Sequence, residues 1–136
     1  MLARREYSRL ELERKLAQYT ENSGEIPQLL DDFERRGWLS ESRVVEQVLA
    51  SRRRRFGAQR IAHELREKGV SDSALAGAQQ QLQESELDAA REVWRKKFGR
   101  PPRNAAERAR QVRFMQGRGF ALEMVLRIIK HDEDDD

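Results

Sequence analysis

The segment from Phe56 to Val70 has the pattern of a helix whose end is specified by the sequence. Ile61 and Leu65 are four residues apart and therefore share one helical face. Gly69 lies where a residue in the left-handed conformation would end the helix, and Val70 is placed to pack back onto Leu65. This is the arrangement of a Schellman ending, in which glycine occupies the C′ position. The segment therefore predicts one amphipathic helix with a defined stop.

Two other segments repeat this ending, in which an apolar residue is followed by a basic residue, a glycine and a second apolar residue. They are Phe33…Arg36-Gly37-Trp38 and Met115…Arg118-Gly119-Phe120. The wider spacing repeats as well: Tyr7, Leu12 and Leu16 precede Phe56, Ile61 and Leu65 by 49 residues, and Leu65 and Gly69 precede Met115 and Gly119 by 50. A period of this length has room for three helices, so the chain predicts tandem three-helix repeats.

The composition favours an all-α fold built from these repeats. Charged and hydrophobic residues each make up 38% of the 136 residues, and there are only three prolines. This limited apolar content suits thin helical units stacked in a line, which predicts an elongated, curved rod. The predicted units are residues 1–37, shortened at the N-terminus, then 38–83 and 84–130, followed by a disordered acidic tail at 131–136.

Capping and breaking residues predict where the helices begin and end. Residues 1–6 are expected to end a helix, and the S-x-x-E spacing of Ser8 and Glu11 predicts a capping box at the start of the next one. Separate helices are expected before and after Ser85. This gives eight full helices and one stub. The residues expected to face inward include Leu29, Leu122 and Leu126.

The sequence lacks the arrangements that catalysis or metal binding requires. There is no cysteine, and the two histidines, His63 and His131, are not at a metal-ligand spacing. Serines near helix starts are explained by capping, and no glycine-rich loop is left to bind phosphate. We therefore predict neither an enzyme nor a bound cofactor or metal.

The sequence also indicates where the protein resides. No apolar run approaches the roughly 20 residues that cross a bilayer, and no signal peptide is evident. The absence of cysteine fits a reducing compartment. We expect a cytoplasmic monomer that does not bind membranes.

The charge is distributed unevenly along the chain. Five of the 24 acidic residues lie in Asp132–Asp136, so residues 1–131 carry 27 cations against 19 anions, a net charge of +8. A basic body with an acidic tail indicates a polyanion or an acidic protein groove as the partner, with the tail as a competitor for the basic surface. The alternative is a solvated charged face with a solubilising tail.

Two clusters of cations are the candidate contact residues, and both are centred on the end of the first helix of a unit. The first comprises Arg52, Arg53, Arg54, Arg55, Arg60 and Lys68, and the second Arg91, Arg95, Lys96, Lys97, Arg100 and Arg103. Clusters at equivalent places in successive units suit a ligand that has a linear repeat of its own.

Four motifs, in this order, resemble the RecX family of bacterial regulators of the RecA recombinase. They are Arg5-Glu6-Tyr7-Ser8-Arg9-x-Glu11-Leu12-x-x-Lys15-Leu16, Arg36-Gly37-Trp38-Leu39-Ser40, Gly57-x-x-Arg60-Ile61-x-x-Glu64-Leu65-x-x-Lys68-Gly69-Val70 and Arg118-Gly119-Phe120. The resemblance covers about residues 3–130. It implies tandem three-helix repeats and a regulator, mainly an inhibitor, that binds in the groove of the RecA–DNA filament. Such a protein limits filament extension, ATP hydrolysis, strand exchange and co-protease activity, and thereby acts in recombination, DNA repair and the SOS response. Weaker binding to single- and double-stranded DNA is also implied.

Two other functions remain open on the residues alone. An autonomous, sequence-independent DNA-binding protein would use the same basic clusters, and its affinity would fall steeply with salt. A purely structural adaptor is the third hypothesis, supported only by the repeats.

Overall fold

The computed structural model describes residues 5–134, apart from the side chains of Asp132 and Asp134. Within this range the chain forms seven α-helices and one short 3₁₀ turn, and no β-strand. The helices are α1 (Arg9–Ala17), α2 (Ile26–Arg35), α3 (Glu41–Arg52), α4 (Ala58–Glu67), α5 (Asp72–Lys97), α6 (Ala105–Gly117) and α7 (Leu122–Asp134), with the 3₁₀ turn at Ser23–Glu25. The predicted all-α class is confirmed.

Side chains of the N-cap residues start four of the helices. The predicted capping box of α1 is present: Ser8 Oγ accepts a hydrogen bond from the Glu11 amide, and the Glu11 carboxylate accepts one from the Ser8 amide. Each such bond satisfies an amide that has no partner within the helix. The N-caps of α3, α5 and α6 are Ser40, Ser71 and Asn104.

The three predicted Schellman endings are confirmed. Gly37, Gly69 and Gly119 have φ angles of 76°, 79° and 94°. The amide that follows each glycine donates back to the C3 carbonyl, for example from Val70 to Leu65 at 3.1 Å. Glycine takes this conformation without the steric cost of a β-carbon, so the stops are encoded locally.

Three hydrophobic clusters follow one another along the chain. The first is formed by α1, α2 and Leu39; the second by residues of α3, α4 and the first half of α5; and the third by residues of α5, α6 and α7 with Phe120. Each cluster is small, as expected for stacked repeats in which a unit contacts mainly its neighbours. The unit boundaries at 37/38 and 83/84 stay predictions.

The largest departure from the sequence prediction is α5, which runs unbroken for 26 residues. The prediction of separate helices around Ser85 is wrong, because no glycine or proline lies between residues 78 and 97 and Ser85 Oγ accepts a hydrogen bond from Arg53 at 2.7 Å instead of capping a helix. Leu82 belongs to the second hydrophobic cluster and Ala90 to the third. At about 1.5 Å per residue this one helix spans about 39 Å and joins two units rigidly.

Other predictions fail at exposed positions. Leu29, Leu122 and Leu126 were expected to face inward, yet each is about 40% exposed or more, because neighbouring residues on the same helices, Leu30 and Val125, fill the core instead.

The two ends of the described chain also differ from the prediction. Arg5 and Glu6 are not helical, and residues 1–4 of the predicted stub lie outside the described residues. The α7 helix continues to Asp134, within the segment predicted to be disordered, and residues 135–136 lie outside the described range. Among the described helices none is long and apolar enough to cross a membrane.

Candidate interaction surface

The second and third units meet where the first turn of α4 abuts the end of α6. The Gly57 amide donates to the Arg118 carbonyl at 2.8 Å, and the Gln59 amide donates to the Gly119 carbonyl at 3.3 Å. The amide between them, on Ala58, donates to the Glu86 carboxylate of α5 at 3.0 Å. The third unit therefore supplies partners for the amides at the start of α4, which α4 itself cannot satisfy.

This junction assembles an alternating row of cations and aromatic rings. The guanidinium carbon of Arg60 lies 4.0 Å from the centre of the Phe56 ring, and that of Arg118 lies 5.3 Å from the same ring. Arg118 is also 5.2 Å from the centre of the Phe114 ring, which Lys97 Nζ approaches at 5.1 Å. We call Arg60, Phe56, Arg118, Phe114 and Lys97 the cation–aromatic row. The electron-rich ring faces attract the cations, so three positive charges are held close together.

A groove between the turn that follows α3 and helix α5 contains residues of both predicted clusters. The α3–α5 groove has a volume of about 560 Å³ and is lined by Arg53 and Arg54 from the first cluster and Lys96 from the second. Asp88 and Glu92 contribute negative charge to the same groove. The clusters were predicted to lie at separate places along a rod, but the structure places Arg53, Arg54 and Lys96, which come from both clusters, in one groove.

A second groove, between the end of α5 and α6, carries more positive charge. This α5–α6 groove has a volume of about 270 Å³, and its four cations are Lys97, Arg100, Arg103 and Arg110. Its single acidic residue, Glu107, accepts a hydrogen bond from the Arg103 amide at 2.8 Å and pairs with the Arg103 guanidinium at 3.4 Å. These interactions hold the pKa of Glu107 below its usual value. The groove therefore keeps an excess of positive charge.

Several predicted contact residues are engaged within the protein. Arg52 pairs with Glu64 at 3.1 Å, and Lys68 pairs with Glu11 at 3.2 Å, with only 18% of the Lys68 side chain exposed. Lys68 thus joins the first and second units. In the second cluster, Arg95 and Lys96 each lie within 4 Å of the Glu92 carboxylate on their own helix. Arg91 has a buried Nε atom that forms no hydrogen bond with the described residues. Arg54 and Arg55 are exposed and lie at the end of α3.

The contact residues predicted from the sequence do not include those that α6 contributes. Arg110 and Arg118, with the rings of Phe56 and Phe114, were not among the candidates. Composition could have indicated them, because Arg108, Arg110, Arg113 and Arg118 oppose the single acid Glu107 between residues 105 and 118. The rings could not have been assigned, since only the fold brings Phe56 next to Arg118.

The chemistry of this surface is that of binding. It presents guanidinium and ammonium groups, which form charge-assisted hydrogen bonds with carboxylates and phosphates. The described residues include no group of three or more histidine, aspartate or glutamate side chains placed to hold a metal ion.

Comparison with known proteins gives consistent matches over most of the chain. Residues 40–78 match the family model for the second three-helix domain of RecX, and residues 84–129 match that for the third. A regulatory protein RecX from Ralstonia nicotianae is 48% identical over 129 residues, which cover 95% of this chain and 81% of the relative. The corresponding protein from Leptothrix cholodnii is 46% identical, covering 99% of this chain and 88% of the relative. That from Chromobacterium violaceum is 40% identical, covering 100% and 88%.

Proposed function

This chain belongs to the RecX family of regulatory proteins, and from that premise we propose that it regulates RecA by binding the RecA–DNA filament. The regulation is mainly inhibition: the bound protein limits filament extension, ATP hydrolysis, strand exchange and co-protease activity. The relatives are named as regulatory proteins, and we infer that this chain likewise acts by binding and not by catalysis. We further propose that it acts in the cytoplasm as a monomer.

The observation that carries this proposal is the concentration of cations where the second and third units meet. Lys97 belongs both to the cation–aromatic row and to the α5–α6 groove, and cations from both predicted clusters line the α3–α5 groove. A filament of protein on DNA offers acidic side chains and phosphates, and a concentrated positive surface attracts both. The unbroken α5 fixes the spacing of these cations, which favours a regular partner surface over a flexible one.

Autonomous DNA binding is a second candidate, favoured by the same cations. Base stacking on Phe56 and Phe114 should contribute little to DNA affinity, because cations of the protein itself already cover these rings. We therefore expect DNA binding to depend on phosphate contacts alone. On single-stranded DNA, each phosphate contact should lower the logarithm of the association constant by about 0.7 for every tenfold increase in salt concentration.

The test is a charge reversal of Arg54 and Arg55, two exposed cations that form no ion pair with the described residues; Arg55 makes only a long hydrogen bond, 3.4 Å, to the Ser51 carbonyl. The double variant Arg54→Glu with Arg55→Glu leaves Arg52 and Arg53 unchanged, because Arg52 pairs with Glu64 and Arg53 donates a hydrogen bond to Ser85. The control is a double variant with the same charge change on other exposed residues, Arg14→Glu with Arg127→Glu. Binding to RecA filaments should weaken at least about tenfold for the first variant, since like charges across an interface repel strongly. Equal binding of both double variants would exclude the α3 end as a contact.

A further inference from the structure

The units of this protein dock onto each other through a contact that occurs twice. A β-carbon on Gly119 would lie 2.4 Å from the Cβ of Arg60, and one on Gly69 would lie 2.9 Å from the Cβ of Leu10. Both contacts join residues that are 59 positions apart, since 119 − 60 and 69 − 10 are equal. In each case the loop that ends the second helix of one unit lies against the first turn of the second helix in the unit before it.

The same position in the third unit is the α5–α6 groove. Gly69 and Gly119 are 50 residues apart, and adding 50 to Gly57 and Arg60 gives Glu107 and Arg110, both of which line the groove. No loop of the described chain fills this groove. The groove thus lies at the repeat position of a surface that receives a peptide loop twice, but its donors differ. Glu107 has a side chain where Gly57 has none, and its amide already donates to Asn104 Oδ1 at 2.9 Å, so a partner would be held here through side chains.

Hydrogen bonds of a buried glutamine hold the walls of the α5–α6 groove in place. Gln111 is 6% exposed, and its side chain accepts a hydrogen bond from Trp94 Nε1 at 2.9 Å and donates one to the Arg100 carbonyl at 3.0 Å. These bonds fix the loop that carries Arg100 and Arg103 against the core. Phe98 and Pro101 supply apolar surface beside the cations. The groove thus offers both charge and a fixed, partly apolar shape.

We propose that the α5–α6 groove receives an acidic loop, or the carboxyl end of a helix, from the protein partner. In the best-defined internal example, the docked loop presents its carbonyl oxygens to the amides of Gly57 and Gln59 and to the guanidinium of Arg60. In the groove, the guanidinium groups of Arg103 and Arg110 would meet carboxylates and terminal carbonyls of the partner. The inference rests on the proposed function and assigns the chemistry of one of its contacts.

Charge and shape favour a protein segment over a phosphate backbone. A single-stranded nucleic acid is bound along extended cationic tracks with free aromatic faces, whereas this groove is small, about 270 Å³, and lined by Phe98 and Pro101 beside its cations. Phe114, the nearest ring of the row, packs edge to face on Phe98 with centres 5.4 Å apart. Lys97 and Arg118 also lie against the Phe114 ring, so this ring is already occupied by groups of the protein.

The test compares two arginines on the same helix. Arg110 lines the groove and Arg113 does not, both are exposed, and neither forms a hydrogen bond or ion pair with the described residues. Arg110→Glu and Arg113→Glu would each be measured for binding to RecA filaments on poly(dT), for binding to a dT oligomer alone, and for thermal stability. We expect Arg110→Glu to lose at least about tenfold in filament affinity, while Arg113→Glu and both oligomer affinities change less than about twofold.

Each other outcome overturns the inference in a distinct way. Equal filament affinities for the two variants would show that the groove is not a contact. A loss of oligomer affinity that matches the loss of filament affinity would make the groove a phosphate site. Failure of the unsubstituted protein to bind the filament would overturn the proposed function, and this inference with it.

A crosslinking experiment tests independently which molecule contacts the groove. The chain has no cysteine, so Arg103→Cys provides one attachment point for a photocrosslinker at the edge of the groove. We expect crosslinks to an acidic segment of RecA. Crosslinks to DNA alone would contradict the proposal.

Discussion

Gly57 and Gly119 lie in direct backbone contact across the junction of the second and third units. A β-carbon placed on Gly57 would be 2.3 Å from the Gly119 carbonyl oxygen and 2.5 Å from the Phe120 amide nitrogen. Backbone atoms cannot move aside as a side chain can, so the junction requires glycine at position 57. Because the cation–aromatic row is assembled from both sides of this junction, the contact also determines the position of the candidate surface.

Replacing Gly57 with alanine should therefore destabilise the protein by about 2–3 kcal/mol through overpacking. Its φ of −83° suits alanine, so the loss comes from the contact and not from the backbone conformation. Gly77→Ala is the matched control, because Gly77 lies within α5 and nothing lies within 4 Å of a β-carbon placed on it. That variant should be more stable by about 0.5–1 kcal/mol. Urea denaturation measures both, and a neutral Gly57→Ala would show that the junction can open.

Two of the Schellman glycines separate conformational strain from crowding. Gly37 and Gly69 have φ angles of 76° and 79°, but a β-carbon on Gly37 meets nothing within 4 Å, whereas one on Gly69 lies 2.9 Å from Leu10. Gly37→Ala should cost about 1 kcal/mol, the strain alone. Gly69→Ala should cost about 1 kcal/mol more because Leu10 must shift. If the two variants lost equal free energy of unfolding, Leu10 would be able to move aside without any loss of stability.

The continuity of α5 can be tested with proline. Glu84 is an exposed residue within the helix, and proline there removes a backbone hydrogen bond and clashes with the preceding turn, at a cost of about 3 kcal/mol or more. Glu84→Ala is the control and should be near neutral. If Glu84 lay instead in a connection between two helices, proline would be tolerated there. The Glu84→Pro variant would then have the same melting temperature as Glu84→Ala.

Glu11 predicts a pH dependence of stability. Burial opposes its ionisation, but the Ser8 amide, Lys68 and Arg5 outweigh that effect and hold the pKa of Glu11 below its ordinary value of 4.5. A lowered pKa in the folded state means that the stabilisation is present above pH 4.5 and is lost as the pH falls through the folded value. Glu11→Gln should cost about 1 kcal/mol at pH 7.

The pH series supplies the check on that assignment. The difference in unfolding free energy between Glu11→Gln and the unsubstituted protein should shrink as the pH falls below 4.5. Glu13→Gln, on an exposed position of the same helix, removes a carboxylate that lacks the contacts of Glu11 and is the matched control. A constant difference at all pH values would exclude the charge of Glu11 as the cause.

Local signals in the sequence were sufficient for the helix ends. The Schellman glycines and the Ser8 capping box depend on residues within five positions of each other, so their physics can be read from the chain. Ser85 misled the prediction because serine, a strong N-cap residue, also fits a helix interior when its hydroxyl has a partner, here Arg53. That partner is 32 residues away and has no local signature.

The candidate surface was only partly predictable for the same reason. Runs of arginine indicated a basic face, but an individual arginine pairs with whichever acid the fold brings near, as Arg52 does with Glu64 and Lys68 with Glu11. The contact between Phe56 and Arg118 links residues that are 62 positions apart. Tertiary packing alone selects which cations remain available to a partner.

The central claim is that this protein regulates RecA by acting on the filament. The most direct measurement is the single-stranded-DNA-dependent ATPase activity of RecA as this protein is titrated in, with binding to the same DNA measured in parallel. We expect inhibition at ratios well below one molecule per RecA protomer and at concentrations too low to coat the DNA. No inhibition, or inhibition only once the DNA is saturated, would contradict the claim and favour DNA binding as the primary activity.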